Sequence, residues 1–179
     1  MLQIINEMNA SVDAQTQNER IVIDSCENEF VRLHSRLCKI IEATPVEILY
    51  ENPRSAAGAA DPLSIGENVL RSAAAVEQTF GGITASLWDD PFEWTLPETL
   101  STRERVLEYL GEVEQTRDRA FARFSSDCDL LKEVSVPSGE TQPLIGLLVE
   151  TLVRASEYQG RAAAMLRILS DVRLPGVII

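Results

Sequence analysis

The sequence predicts an all-α protein, a four-helix bundle whose helices are joined by long connections. Four long segments carry apolar residues at steps of three and four, the spacing that places them on one face of a helix. Two of these segments begin with a Ser-x-x-Glu capping box, and almost no stretch alternates apolar and polar residues as a half-buried strand would. Amphipathic helices of this length bury their stripes in a bundle.

Composition places the chain among globular proteins of one domain, residues 1–179. It has 179 residues, of which 45% are hydrophobic and 25% charged. The formal net charge of −12 argues against nucleic acid and against an anionic membrane as partners, because phosphate binding needs a basic face. The N-terminus lacks the basic start of a signal peptide, and no apolar run is long enough to cross a bilayer. We therefore expect a cytoplasmic protein.

The first helix is predicted over residues 18–44 and ends before Pro45. Thr44-Pro45-Val46-Glu47 then has the pattern of a helix cap and predicts a short turn to Leu49. Residues 1–17 are an N-terminal extension or a partial helix, and residues 51–61 are a loop. The apolar stripe of the first helix consists of Cys26, Phe30, Leu33, Leu37 and Ile40/Ile41.

The second helix begins at Ser64, which starts the capping box Ser64-Ile65-Gly66-Glu67. Gly81-Gly82 weakens the helix near its end, and residues 88–97 form a long irregular connection that contains both tryptophans. Its stripe consists of Ile65, Val69, Val76, Phe80 and Ile83, with the small Ser72 at the missing step.

The third helix is predicted to start at Ser101, the first residue of another capping box, and is followed by a short turn at residues 127–132. Residues 133–142 contain Pro and Gly and form a loop with room for a brief extended piece. The inward residues of this helix are Val106, Tyr109/Leu110, Val113, Ala120, Phe121 and Phe124.

The fourth helix is predicted over residues 143–170, and its apolar step is close to 3.5, as in helices that pack at a shallow angle. The apolar tail at residues 174–179 is expected to dock on the bundle or on a second subunit, which makes a homodimer the expected assembly. The seam of the fourth helix consists of Leu144, Leu148, Thr151, Ala155, Tyr158, Ala162, Met165 and Leu169.

Three stretches, in this order and spacing, resemble the DinB-like superfamily of four-helix bundles over residues 20–172. They are PLSIGENVLRSAAAVEQ, STRERVLEYLGEVEQTRDRAF and LLVETLVRASEYQGRAAAMLRIL. The resemblance implies a four-helix bundle with a long crossover between its second and third helices, and a divalent metal held by one histidine of the second helix and two of the fourth. Those positions fall on Arg71, Arg154 and Tyr158 here; Gly160 matches the family's glycine, and Arg161 stands where its glutamine usually is.

The three substitutions remove the metal chemistry that the resemblance would imply. A guanidinium has no lone pair to donate to a metal, and a tyrosine rarely ligates alone. We therefore expect no metal and no other cofactor, and the thiol-transferase and isomerase activities of the family are not carried over to this chain. Enzymatic activity is left open, and a non-enzymatic role is preferred.

A candidate ligand site follows if the bundle keeps the family's geometry. Arg71, Arg154 and Tyr158 would then converge in the former metal pocket and bind a small carboxylate or phosphate, with Glu67 as the nearest internal counter-charge. The alternative interpretation places the arginines in solvent, because Glu150 and Glu157 each stand four residues before an arginine, as in a surface helix pair.

Other groups with chemical potential fit no recognised site. His34 is the lone histidine, and Cys26 and Cys38 fall near the inward stripe of the first helix, where packing explains them. The carboxylates form no ExxH pair of the kind that di-iron bundles use. Two alternative functions remain open: a metal-dependent thiol transferase or hydrolase with an unconventional carboxylate site, and a structural or interaction module that uses the acidic surface and the tail.

Overall fold

Four α-helices form the framework of the protein, which confirms the predicted fold class. The computed structural model describes residues 19–52, 62–93 and 99–172. The predicted N-terminal extension at residues 1–17 and the apolar tail at residues 174–179, with its proposed role in a dimer, lie outside the described residues. The helices are α1 (Ile21–Ala43), α2 (Ile65–Ala85), α3 (Arg103–Phe121) and α4 (Leu144–Leu169).

The helix starts show which capping predictions are right. The capping box at the start of α2 is present: Ser64 accepts from the Glu67 amide, and the Glu67 carboxylate accepts in return from the Ser64 amide at 2.7 Å. The start of α3 differs from the prediction, because Thr102 rather than Ser101 is the N-cap and accepts from the Arg105 amide at 3.3 Å. Two adjacent hydroxyl residues offer the same cap chemistry, so the pattern cannot fix the boundary to one residue.

The helix directions establish the predicted crossover. Helices α2 and α3 run in the same direction, since the Tyr109 hydroxyl donates to Glu77 and the Arg123 guanidinium donates to the Thr84 carbonyl further along both helices. The connection over residues 86–102 must therefore travel the length of the bundle. Helices α1 and α4 run the opposite way; α4 packs against α2 and α1, and α1 also packs against α3 and α2.

Short elements complete the ends of the bundle. The predicted turn after α1 is a 3-10 helix at Val46–Ile48, and the predicted turn after α3 is one at Asp127–Leu131. The predicted extended piece is an antiparallel hairpin of β1 (Glu133–Ser135) and β2 (Thr141–Pro143), whose second strand leads directly into α4. A further 3-10 helix, Pro91–Glu93, lies in the crossover.

The core is apolar and is anchored by aromatic rings at the end where α2 and α3 finish. The rings of Phe30, Phe80 and Phe121 lie 5.1–5.9 Å apart, and Phe124 meets Phe121 edge-on at 5.6 Å. Burying a phenylalanine side chain contributes about 1.5–3 kcal/mol, so this cluster is a principal source of stability. No helix among the described residues is both long and apolar enough to span a membrane.

Two polar residues are buried where the sequence pattern indicates otherwise. Arg117 is only 2% exposed and is held by Glu114 at 2.7 Å, with Asp118 and the Glu27 carbonyl as further partners. On α4 the predicted inward Tyr158 is only half-buried, and Gln159 is buried instead, donating to the Leu33 carbonyl at 2.8 Å. A buried amide is tolerated because it has a hydrogen-bond partner on another helix.

Candidate functional site

The pairing of α2 with α4 positions the candidate site. The Ser72 hydroxyl donates to the Ala155 carbonyl at 2.8 Å, and the hydroxyls of Thr79 and Thr151 meet at 2.7 Å. All of these side chains are buried, so the bonds fix the register of two antiparallel helices. Arg71 directly precedes Ser72, and Arg154 directly precedes Ala155, so the register brings the two arginines to the same edge of the helix pair.

A cavity of about 60 Å³ opens between these helices and the crossover, and we refer to it as the arginine cavity. Three of the four predicted site residues line it together: Arg71, Arg154 and Tyr158. The crossover closes it with two residues that the sequence analysis did not single out, Asp90 and Phe92. The remaining lining residues are Ala74, Ala75 and Gln78.

Arg71 has unused hydrogen-bonding capacity. Its guanidinium carbon lies 3.8 Å from the centroid of the Phe92 ring, a cation–π geometry. Its Nε is buried without a hydrogen-bond partner, and no carboxylate among the described residues forms an ion pair with it. A half-buried guanidinium in this state is not neutralised by the ring, so it favours an anion within reach.

Arg154 is exposed and points toward α2 rather than along its own helix. Its Nη2 donates to the Ala75 carbonyl at 3.4 Å and to Gln78 Oε1 at 3.2 Å. It forms no ion pair with Glu150 in the part of the chain that the structure describes. The surface pair that the alternative interpretation assigned to Arg154 is therefore absent from these residues.

The second predicted surface pair is present one turn further along α4. The Arg161 guanidinium lies 3.5 Å from Glu157, both side chains are exposed, and Arg161 also lies 5.2 Å from the Tyr158 ring. The Tyr158 hydroxyl forms no hydrogen bond with any described residue. It is thus a further potential donor beside the two arginines.

Glu67 does not join the arginines in the arginine cavity. Its carboxylate accepts from the Ser64 amide and the Ser64 hydroxyl, both at 2.7 Å, so it completes the helix cap. The carboxylate that lines the cavity belongs to Asp90, whose Oδ1 accepts from the Phe92 amide at 3.0 Å. Asp90 lies in the irregular crossover, where no periodic pattern relates a residue to α2.

This donor set does not fit a divalent cation. Two guanidiniums repel a metal ion and offer no lone pair, and the remaining side-chain oxygens are the phenol, the Asp90 carboxylate and the Gln78 amide oxygen, which already accepts from Arg154. In the described ranges, no group of three or more His, Cys, Asp and Glu residues is positioned to hold a metal ion. Chemically, the cavity can bind and orient an anion through charge-assisted hydrogen bonds.

A second polar cluster lies between α1 and α3. The Cys38 thiol contacts His34 Nε2 at 3.5 Å, and His34 Nδ1 lies 3.8 Å from Glu114, which in turn binds Arg117. Burial, together with the charges of Glu42 and Glu114, raises the pKa of the Cys38 thiol. A raised pKa lowers the thiolate fraction, so this arrangement does not activate the thiol as a nucleophile.

Cys26 and Cys128 complete the set of thiols. Burial and the neighbouring charge of Asp127 raise the pKa of Cys26, whereas Cys128 is exposed.

No family model matches the chain, and no curated protein matches it. The arginine cavity is therefore the feature of the described residues that indicates a function.

Proposed function

We propose that this protein is a metal-free, non-enzymatic four-helix bundle of the DinB-like kind that binds a small anion, a carboxylate or a phosphate, in the arginine cavity. The observation that carries the proposal is the state of Arg71: it is half-buried, and among the described residues its Nε has no hydrogen-bond partner and no carboxylate pairs with it. Arg154 and Tyr158 add donors to the same cavity, against the single carboxylate of Asp90. An anion bound there would accept charge-assisted hydrogen bonds and lower the cost of burying the guanidinium.

Thermal unfolding in the presence of anions tests the proposal. Acetate and inorganic phosphate are titrated at constant ionic strength into the wild type, Arg71→Gln and Arg154→Ala. A ligand that binds only the folded state stabilises it by about 2.7 kcal/mol at a concentration of 100 times Kd. We expect the midpoint of the wild type to rise with anion concentration and the two variants to lose most of that rise.

Arg167→Ala is the matched control, because Arg167 is exposed on α4 outside the arginine cavity. It separates specific binding from the general stabilisation that phosphate gives by exclusion from protein surfaces. If neither anion stabilises the wild type more than Arg154→Ala, the anion site is wrong. Near-stoichiometric zinc, nickel or iron that survives dialysis would instead overturn the metal-free part and favour the metal-dependent alternative.

A further inference from the structure

A larger cavity adjoins the arginine cavity. It measures about 340 Å³, lies between α2, α4 and the β1–β2 hairpin, and is called the hairpin cavity below. The two cavities share Gln78 and Arg154 as lining residues. Gln78 joins their walls, because its oxygen accepts from Arg154 at 3.2 Å and its nitrogen donates to the Trp88 carbonyl at 2.9 Å. The volume falls in the range of small-molecule sites.

The walls of the hairpin cavity suit a ligand with a short chain and polar ends. The buried hydroxyls of Thr79 and Thr151 line it beside the side chain of Leu147. Trp88 contributes a large ring, which packs so closely on Gly82 that a Cβ there would fall within 3.0 Å of it. A methylene chain can therefore pass between an aromatic ring and neutral hydroxyls without leaving a buried group unpaired.

Two carboxylates place negative charge on the far side of the hairpin cavity from the arginine cavity. Glu140 of the hairpin and Glu150 of α4 line the hairpin cavity, and neither forms an ion pair with any described residue. Glu150 precedes Arg154 by one helical turn, about 6 Å along the axis. The arginines, with the Asp90 carboxylate beside them, thus lie on one side of the two adjoining cavities and the two glutamates on the other, an arrangement complementary to a zwitterion.

We infer that the natural ligand is a small aliphatic zwitterion. Its carboxylate binds Arg71 and Arg154 in the arginine cavity, and its terminal ammonium group lies toward Glu140 and Glu150. The carbon chain between them occupies the hairpin cavity beside Trp88. This inference rests on the proposed function, since it assigns the carboxylate to the same arginines.

Calorimetric titration with matched pairs of compounds tests the ligand class. The probes are straight-chain ω-amino carboxylates of increasing length, each compared with the unsubstituted carboxylate of the same length. Because the two glutamates are exposed, we expect the amine to tighten binding about three- to fivefold at the best length. Glu150→Gln, alone or with Glu140→Gln, should remove this gain without weakening the plain carboxylate. Glu112→Gln, an exposed change on α3 outside both cavities, should keep the gain.

Tryptophan fluorescence gives an independent measure of where the ligand's carbon chain lies. Binding of the best ω-amino carboxylate should change the tryptophan emission of the wild type, and Trp88→Phe, saturated with the same compound as judged by calorimetry, should lose that change. An emission change that persists in Trp88→Phe would overturn the placement of the ligand's carbon chain beside Trp88.

The outcomes separate the two proposals. The anion site stands if plain carboxylates bind and Arg154→Gln abolishes their binding. The zwitterion is nevertheless wrong if the amine does not tighten binding, or if Glu150→Gln leaves the tighter binding unchanged. If neither compound of any pair binds the wild type but inorganic phosphate does, the zwitterion is wrong and the anion site stands. If none of these compounds binds, the anion site itself fails.

Discussion

The guanidinium carbon of Arg71 lies 3.8 Å from the centroid of the Phe92 ring. Arg71 belongs to α2, and Phe92 belongs to the 3-10 helix of the crossover, Pro91–Glu93. The contact therefore holds the crossover against α2 and limits the directions that the guanidinium can take. A side chain that is restrained before binding loses less conformational freedom when it orders around a ligand.

Replacing the ring should weaken both the crossover and the site. Phe92→Leu keeps an apolar side chain but removes the cation–π contact, which contributes about 0.5–1 kcal/mol at exposed positions. We expect the free energy of unfolding to fall by about that amount and the anion Kd to rise about threefold. Urea unfolding and calorimetric titration measure the two effects. The exposed Leu87, changed to alanine, is the control, and unchanged anion affinity in Phe92→Leu would show that the ring does not orient Arg71.

Replacing Glu67 should lower the stability of the protein without changing its affinity for anions. Glu67→Ala removes the returning hydrogen bond of the capping box and should lower the free energy of unfolding by about 0.5–1 kcal/mol. The thermal midpoint should fall by about 2–4 °C per kcal/mol for a chain of this size. Anion affinity should stay the same, because the carboxylate lies at Ser64 and does not line the arginine cavity. Tighter anion binding by Glu67→Ala would mean that the carboxylate reaches Arg71 after all.

The helices could be predicted because their information is local. Apolar steps of three and four mark α1 to α4, and the Ser64 capping box marks the start of α2 to the residue. The crossover could be expected only from the resemblance, since the sequence alone gives the length of a connection and not its direction. Its direction is visible in contacts such as Tyr109 with Glu77, which lie 32 residues apart.

The candidate site could be predicted in part. Arg71, Arg154 and Tyr158 were placed together by their correspondence to three positions of a metal site, whereas Asp90 lies in a segment without periodicity. Arg117 was not recognised as buried, because a charge three residues from Glu114 is typical of a solvated helix face. Its burial depends on Glu27 of α1, a partner that no local pattern can identify.

Replacing Gly82 or Gly160 by alanine should change the stability of the protein in opposite directions. At Gly82 a Cβ would lie within 3.0 Å of the Trp88 ring, so Gly82→Ala should cost about 1–3 kcal/mol and change the tryptophan emission. At Gly160, inside α4, a Cβ would meet nothing within 4 Å. Gly160→Ala should therefore stabilise the protein by about 0.5–1 kcal/mol through its higher helix propensity. Thermal unfolding measures both, and stabilisation by Gly82→Ala would show that Trp88 does not pack on that glycine.

Asp129 should make stability depend on pH in the acid range. The Lys132 ammonium, and then the amides of Ser125 and Ser126, lower the pKa of this carboxyl well below its ordinary value of 3.8. Because the folded pKa is the lower one, the contribution of Asp129 is complete above about pH 4 and is lost as the pH falls toward the folded pKa. The difference in unfolding free energy between the wild type and Asp129→Asn should be constant between about pH 6 and about pH 8. It should become smaller below about pH 4.

Lys132 supplies the matched test of this pH dependence. Lys132→Met removes the first cause of the lowered pKa, so the folded pKa of Asp129 should lie closer to its ordinary value, and the loss of stability on acidification should be smaller and should end at a higher pH than in the wild type. Asp89→Asn, an exposed change in the crossover, controls for the general effect of removing one negative charge from an acidic chain. Urea unfolding at a series of pH values measures all four proteins. A difference in unfolding free energy between the wild type and Asp129→Asn that stays constant down to the acid limit would contradict the lowered pKa, because Asp129 would then bind protons alike in the folded and unfolded states of the wild type.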